Sequence, residues 1–210
     1  MRKLILKMSV SVDGFVAGPN GEVGWIFKST DDATIAWIMD TLWCAGVHIM
    51  GSRTFHDMAA YWPTSTEKFA APMNEIPKRV FSRTGHVDIT GAGSTTQALK
   101  DARRARVHTP AAASADSSWS HVPVAGGELA TEIARLKAEP GKDILAHGGA
   151  RFAQSLVREN LVDEYRLVVH PVALGQGLAL FADLPAPLHL QLLSSTAFGA
   201  GVVANVYRPV

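Results

Sequence analysis

A glycine pair sits between a short apolar strand and an amphipathic helix in Asp143-Ile144-Leu145-Ala146-His147-Gly148-Gly149-Ala150-Arg151-Phe152. A strand, a tight turn and a helix in this order define a βα unit, because the helix can hide its apolar face only by packing back onto the sheet. Glycine at the turn lets backbone N–H groups come close to a ligand, and the helix dipole favours an anion there. Gly51-Ser52-Arg53-Thr54, after the apolar run Val47 to Met50, is a second and weaker version. Two such turns suggest a ligand with two phosphates. An ordinary tight βα turn has the same signature, and the pair is not a G-x-G-x-x-G fingerprint.

The rest of the chain alternates in the same way. Strands are predicted over 3–12, 47–50, 79–82, 143–147 and 163–170, and helices from Asp31 or Asp32 to about 45, over 54–60, 128–138 and 150–159. Such alternation argues for an α/β fold with a mainly parallel sheet. Two further strands, 188–194 and 202–207, flank Gly199-Ala200-Gly201 and read as a terminal antiparallel pair. Residues 89–121 break the regularity: 94–106 suits a helix, but 109–120 is rich in Ala and Ser with little to bury. The expectation is one domain over 1–210, with 89–121 as an insertion that is either partly disordered or a lid.

Composition excludes several classes. A net charge of +1 leaves no electrostatic footprint for nucleic acid or an anionic membrane. No run approaches the ~20 apolar residues of a membrane span. Lys7 interrupts the first apolar run, so the N-terminus reads as a strand rather than a signal peptide. The one cysteine, Cys44, permits no internal disulfide, which fits a cytoplasmic protein. No Cys/His spacing suits a metal, and no serine has a G-x-S-x-G setting.

Each candidate residue has a functional and a structural reading. Arg53 and Thr54 can share a phosphate with helix-start amides, or be a surface arginine and a helix residue. Ser82-Arg83-Thr84 lies just past a strand end, where open α/β sheets bind ligands, and suits an extra phosphate such as the 2′-phosphate of NADP. Asp13 either contacts substrate or shapes the Asp13-Gly14 turn. Trp25 either stacks on a planar ring or packs beneath its loop. Asp31 and Asp32 supply a catalytic acid or cap the helix. His147 faces a substrate cleft or is a strand histidine with a satisfied hydrogen bond.

Five motifs in order identify a resemblance: Ser11-Val12-Asp13-Gly14-Phe15-Val16-Ala17, Met50-Gly51-Ser52-Arg53-Thr54, Val80-Phe81-Ser82-Arg83-Thr84, Gly148-Gly149-Ala150, and His170-Pro171 followed by Gly175-Gln176-Gly177 and Leu180-Phe181. Outside about 89–121, the chain resembles the dihydrofolate-reductase-like superfamily. It is most similar to the branch holding the reductase domain of the bifunctional riboflavin-biosynthesis deaminase-reductase. The resemblance implies a three-layer fold, a twisted, mostly parallel sheet flanked by helices. It also implies NADPH as hydride donor, a small heterocyclic substrate and often a homodimer.

Carried onto this sequence, Gly51, Arg53 and Thr54 match the cofactor turn, and Gly148, Gly149, Ala150, Arg151 and Phe152 the pyrophosphate turn. Ser82 and Arg83 match the adenosine-phosphate end. Ala17 and Trp25 belong to the loop that covers the nicotinamide. The activity implied is that of 5-amino-6-(5-phosphoribosylamino)uracil reductase, with Asp32, His147 or water delivering the proton. Dihydrofolate or pterin reduction and a non-catalytic nucleotide-binding role are the alternatives. Two departures stand out. His147 replaces an acidic residue of the riboflavin enzyme, and the proline pattern beside the folate reductases' carboxylate is missing around Asp31 and Asp32. The zinc-binding deaminase motifs have no counterpart here.

Overall fold

Apolar residues at every second position of Leu4–Ser11 build β1, whose alternate side chains enter cores on opposite sheet faces. In the computed structural model, residues 1–87, 96–112 and 117–210 are described. The chain continues through β2 (Phe15–Ala17), α1 (Asp32–Trp43), β3 (Ala45–Gly51), α2 (Ser52–Ala59), α3 (Ala70–Glu75), β4 (Lys78–Phe81), α4 (Gln97–Ala105), β5 (Val124–Ala125) and α5 (Leu129–Ala138). It ends with β6 (Asp143–Ala146), α6 (Ala150–Arg158), β7 (Glu164–His170), β8 (Leu178–Ala179), β9 (Leu190–Ala197) and β10 (Val203–Pro209).

Eight strands form one sheet in the order β5-β4-β3-β6-β1-β7-β10-β9. The first six run parallel, while β10 is antiparallel to both β7 and β9. This is the mostly parallel sheet with antiparallel C-terminal strands that the resemblance implies. β2 and β8 form a separate small ribbon. That ribbon and α3 were not expected from sequence, because each is too short to carry a hydrophobic period.

Helix ends follow local chemistry. Asp31 caps α1 by accepting the Thr34 N–H, and Glu128 caps α5 through Ala130 and Thr131. Asn160, just past α6, takes φ 51°, a left-handed stop that asparagine tolerates. One core layer holds Leu6, Ile49, Ile144, Leu156 and Tyr165. The other holds Ile5, Ile38, Leu42, Met50, Leu145 and Val168.

Part of the expected insertion is structural. α4 starts at the Thr96 cap, and Trp119 is buried against Phe55 and bonded to Asn74. Residues 89–95 and 113–116 of the expected insertion, read as partly disordered or a lid, lie outside the described residues. Among the described residues, no helix is long and apolar enough to cross a membrane.

Candidate functional site

The C-terminal ends of β4, β3, β6, β1 and β7 line up along one sheet edge, where α/β sheets bind ligands. At its centre the two glycine turns touch. The Gly51 N–H donates to the Gly148 carbonyl at 3.2 Å, and the His147 N–H donates to the Ile49 carbonyl at 3.0 Å. Gly51 is the N-cap of α2 and Gly149 that of α6, and no side chain caps either helix. Two sets of helix-start amides therefore remain available to an anion.

The close packing explains the glycines. Gly148 has φ +81°, and a Cβ there would lie 3.1 Å from Met8 Sδ. A Cβ on Gly51 would meet Phe152 Cβ at 3.2 Å. Phe152 also stacks on Phe81, with ring centroids 5.2 Å apart, so it wedges the two turns at a fixed spacing. Ala150 packs against the same core. Arg53, Arg83 and Arg151 are exposed, and their guanidinium groups make no hydrogen bond or ion pair with any described residue. Ser82 differs: its hydroxyl donates to the His86 carbonyl and lies 3.0 Å from the Thr84 hydroxyl, closing its own loop.

The other end of the edge is built around Trp25. Its indole N–H donates to the Glu22 carbonyl at 3.2 Å, and its ring meets His170 edge-on at 5.3 Å. His170 Nδ1 lies 2.8 Å from the Ser29 hydroxyl. Ala17 is buried, and a Cβ on Gly177 would come within 2.2 Å of its carbonyl oxygen, so only glycine fits there. Asp13 accepts N–H groups of Leu174 and Gly175, joining its turn to the 171–177 loop. The Ser11 hydroxyl and these amides hold its carboxylate below the usual range. The turn reading of Asp13 fits these bonds.

The two expected proton donors lie in very different surroundings. Asp32 is exposed at 88 % of its side chain and paired with Lys68 at 2.6 Å, in full contact with water. Asp31 is committed to Thr34 and, at 3.1 Å, to the Ala200 N–H. His147 is half-buried, its Nε2 is buried and lacks a partner among the described residues, and its ring meets His48 edge-on at 4.5 Å. Burial first, then His48, Lys7 and Lys78, hold it well below its ordinary value. Its ring is therefore uncharged at pH 7.

The residue that sequence reading missed is Lys7. Strand alternation puts it on the face of β1 that also carries Ile5, beside His147 and His170. No described residue accepts a hydrogen bond from it, and burial lowers its pKa to about 8. A lysine among apolar strand residues was the available signal. Lys78 and His48 extend this basic row across the sheet. A cavity of about 380 Å³ between Arg2, Lys78, Arg79 and Glu139 lies at the opposite sheet edge, away from both glycine turns.

Two helix N-termini without side-chain caps, meeting on the C-terminal edge of an α/β sheet, form the arrangement that many nucleotide-using enzymes share. The family model of the RibD C-terminal domain matches residues 2–204. The chain therefore belongs to that family, one of reductases that use a nicotinamide cofactor. It is 31% identical over 213 residues to the uncharacterized protein YyaP of Bacillus subtilis (strain 168), covering 99% of this chain and 95% of YyaP.

Among solved structures, one named for riboflavin biosynthesis from Shewanella sp. PV-4 superposes with TM-score 0.65 at 20% identity, covering 100% of this chain and 99% of that one. A pyrimidine reductase-like protein of Corynebacterium diphtheriae gives TM-score 0.63 at 12% identity, over 100% and 92%. The Thermotoga maritima diaminohydroxyphosphoribosylaminopyrimidine deaminase/5-amino-6-(5-phosphoribosylamino)uracil reductase gives 0.63 at 16%, over 100% of this chain and 57% of that longer one. At these identities the three structures establish the shared fold.

Proposed function

We propose that this chain is an NADPH-dependent reductase acting on the C=N or C=O bond of a small planar heterocycle. The observation that carries the reading is the contact of two helix N-termini, neither capped by a side chain, at the Gly148–Gly149 turn. Gly51, Arg53, Thr54 and the turn from Gly148 to Phe152 would hold the pyrophosphate. Arg83 would take the 2′-phosphate, and Ala17 and Trp25 would border the nicotinamide. When bound, the nicotinamide supplies a hydride.

The chain must then supply a proton, and Lys7 is the group assigned to it. An ammonium whose pKa is lowered by burial to about 8 gives up its proton more readily than an ordinary lysine. His147 and His170, both neutral through burial, would hydrogen-bond substrate atoms. A pyrimidine such as the one named for the Thermotoga maritima enzyme suits a floor of basic and neutral donors. Carboxylate-assisted folate or pterin reduction has less support, because Asp31 caps α1 and Asp32 lies at the surface.

A second copy of this chain is the proposed partner. β9 is an uncharged edge strand exposed along nearly its whole length, with Leu192 and Leu193 about half exposed. Such an edge pairs readily with an identical strand. One free cysteine and NADPH chemistry both suit the cytoplasm.

Quenching of tryptophan fluorescence on titration with NADPH and NADH tests the reading. Binding of NADPH below millimolar concentration is expected, and its absence overturns the proposal. NADPH binding without turnover of any pyrimidine, pterin or folate would favour a non-catalytic role.

A further inference from the structure

The loop before α1 is held by α4. Asp101 on α4 accepts the Val23 N–H at 2.8 Å and the Gly24 N–H at 2.9 Å through one carboxylate oxygen. Its other oxygen accepts the Gln97 side-chain amide at 2.8 Å. The residue is 9 % exposed, so these three donors replace nearly all its hydration. Burying a carboxylate is unfavourable unless it is fully hydrogen-bonded, which fixes this geometry rather than leaving it one of many.

What the two amides anchor is a compact unit. Gly18 donates to the Glu22 carbonyl at 2.9 Å, and Glu22 also binds the Asn20 backbone and side chain. The Glu22 carbonyl accepts the Trp25 indole as well. Fixing Val23 and Gly24 therefore fixes Trp25 against His170. α4 also packs beside α2, the helix that starts at the Gly51–Thr54 turn. Just past α4, the Arg106 guanidinium lies 4.3 Å over the Tyr61 ring and donates to the Tyr61 carbonyl. One short helix thus joins the cofactor-turn side of the site to the Trp25 loop.

We propose that α4 is a brace and that Asp101 is a positioning residue, holding the 18–26 loop so that Trp25 closes the nicotinamide end of the site. This rests on the NADPH reading above for the ligand, but the mechanical link is tested without any ligand. The brace acts on the nicotinamide end alone, since the adenosine end is assigned to Arg83 on another loop.

The test compares the full chain with its Asp101→Ala, Gln97→Ala and Asp101→Asn variants. Hydrogen exchange of the Val23 and Gly24 amides should speed up about tenfold or more in Asp101→Ala, while β1 and β7 amides stay protected. Gln97→Ala should show a smaller rise at the same amides, and Asp101→Asn, which keeps one acceptor oxygen, should stay near the parent. NADPH should bind Asp101→Ala about three- to tenfold more weakly, with the affinity of 2′,5′-ADP unchanged. Unchanged exchange at Val23 and Gly24 overturns the brace. Faster exchange with unchanged NADPH affinity overturns the positioning role. If the unmodified chain binds no NADPH, the cofactor reading fails and the positioning role with it, and exchange alone then decides whether Asp101 holds the loop. If Asp101→Ala loses its cooperative thermal transition, the Gln97→Ala exchange pattern decides the brace.

Discussion

Gly149 stands so close to Thr54 that a β-carbon on it would lie 2.7 Å from the Thr54 hydroxyl oxygen. The contact ties the N-terminus of α6 to that of α2 and leaves no room for a side chain between the two sets of amides. Gly149→Ala should force the turns apart. Overpacking of this kind costs about 1–3 kcal/mol, so the thermal midpoint should fall by several degrees. Adding Thr54→Ala should restore much of that stability, because the clash partner is gone. Calorimetry of the two single variants and the double variant checks this, and simple additivity would refute the contact.

Arg83 is exposed and unengaged by any described residue, while neighbouring Ser82 is already bonded within its loop. If Arg83 meets a 2′-phosphate, Arg83→Ala should weaken NADPH about tenfold or more and leave NADH nearly unchanged. Ser82→Ala should act differently, loosening the loop and affecting both nucleotides alike. Equal losses of NADPH and NADH in Arg83→Ala would remove the phosphate assignment.

Lys7 should titrate near pH 8, measurable by NMR of its labelled side-chain amine. A proton donor must be charged, so kcat/KM should be level below about pH 8 and fall above it. Lys7→Met should lower kcat roughly 10²- to 10⁴-fold. The same shift links to stability. The folded-state value lies below the ordinary lysine value of 10.5, so the unfolded chain binds more protons between pH 8 and 10.5. Lys7 therefore penalises folding fully below pH 8, and the penalty is relieved as pH rises through that window. Lys7→Met should thus be more stable than the parent at pH 7, even as activity is lost. A less stable Lys7→Met would argue that the amine has an ordinary structural partner.

The sheet and both glycine turns were legible in the sequence because they depend on local signals: apolar runs, glycines and capping residues at fixed offsets. The Gly51–Gly148 contact was not, since it joins strands nearly 100 residues apart in the chain through tertiary packing. Asp31 and Asp32 looked equivalent in sequence, and only the fold shows one capping α1 and the other reaching Lys68. Lys7 looked like an interruption of an apolar strand, and strand alternation in the folded sheet is what puts it beside two histidines. Asp101 had no sequence signal at all, because its role lies in two amides far upstream.

β9 should mediate self-association. Leu192→Lys and Leu193→Asp, changed together, should shift a dimer to monomer in analytical ultracentrifugation without altering the thermal midpoint measured at low concentration. A parent chain that is monomeric at tens of micromolar would rule this interface out.

His48 gives the molecule an acid-sensitive core. It is fully buried, and although the Leu42 backbone lies near its ring, neither ring nitrogen has a well-formed hydrogen bond among the described residues. Burial, with Lys78 second, lowers its pKa to about 3, so it folds uncharged. Below its ordinary value of 6.5 the unfolded chain takes up a proton that the folded chain refuses. Stability must then fall as pH drops from 6.5 toward 3, by about 1.4 kcal/mol per pH unit for each histidine so placed. His147, held down in the same way, contributes in the same direction. His48→Leu removes one of the two. Its stability should be no lower than the parent's at pH 7.5, because a poorly satisfied imidazole leaves the core. Between pH 6 and pH 4 its loss should be shallower by about 1.4 kcal/mol per unit. Urea unfolding at pH 7.5, 6, 5 and 4 measures both, and parallel curves for the two proteins would show that His48 finds a proton partner in the folded state.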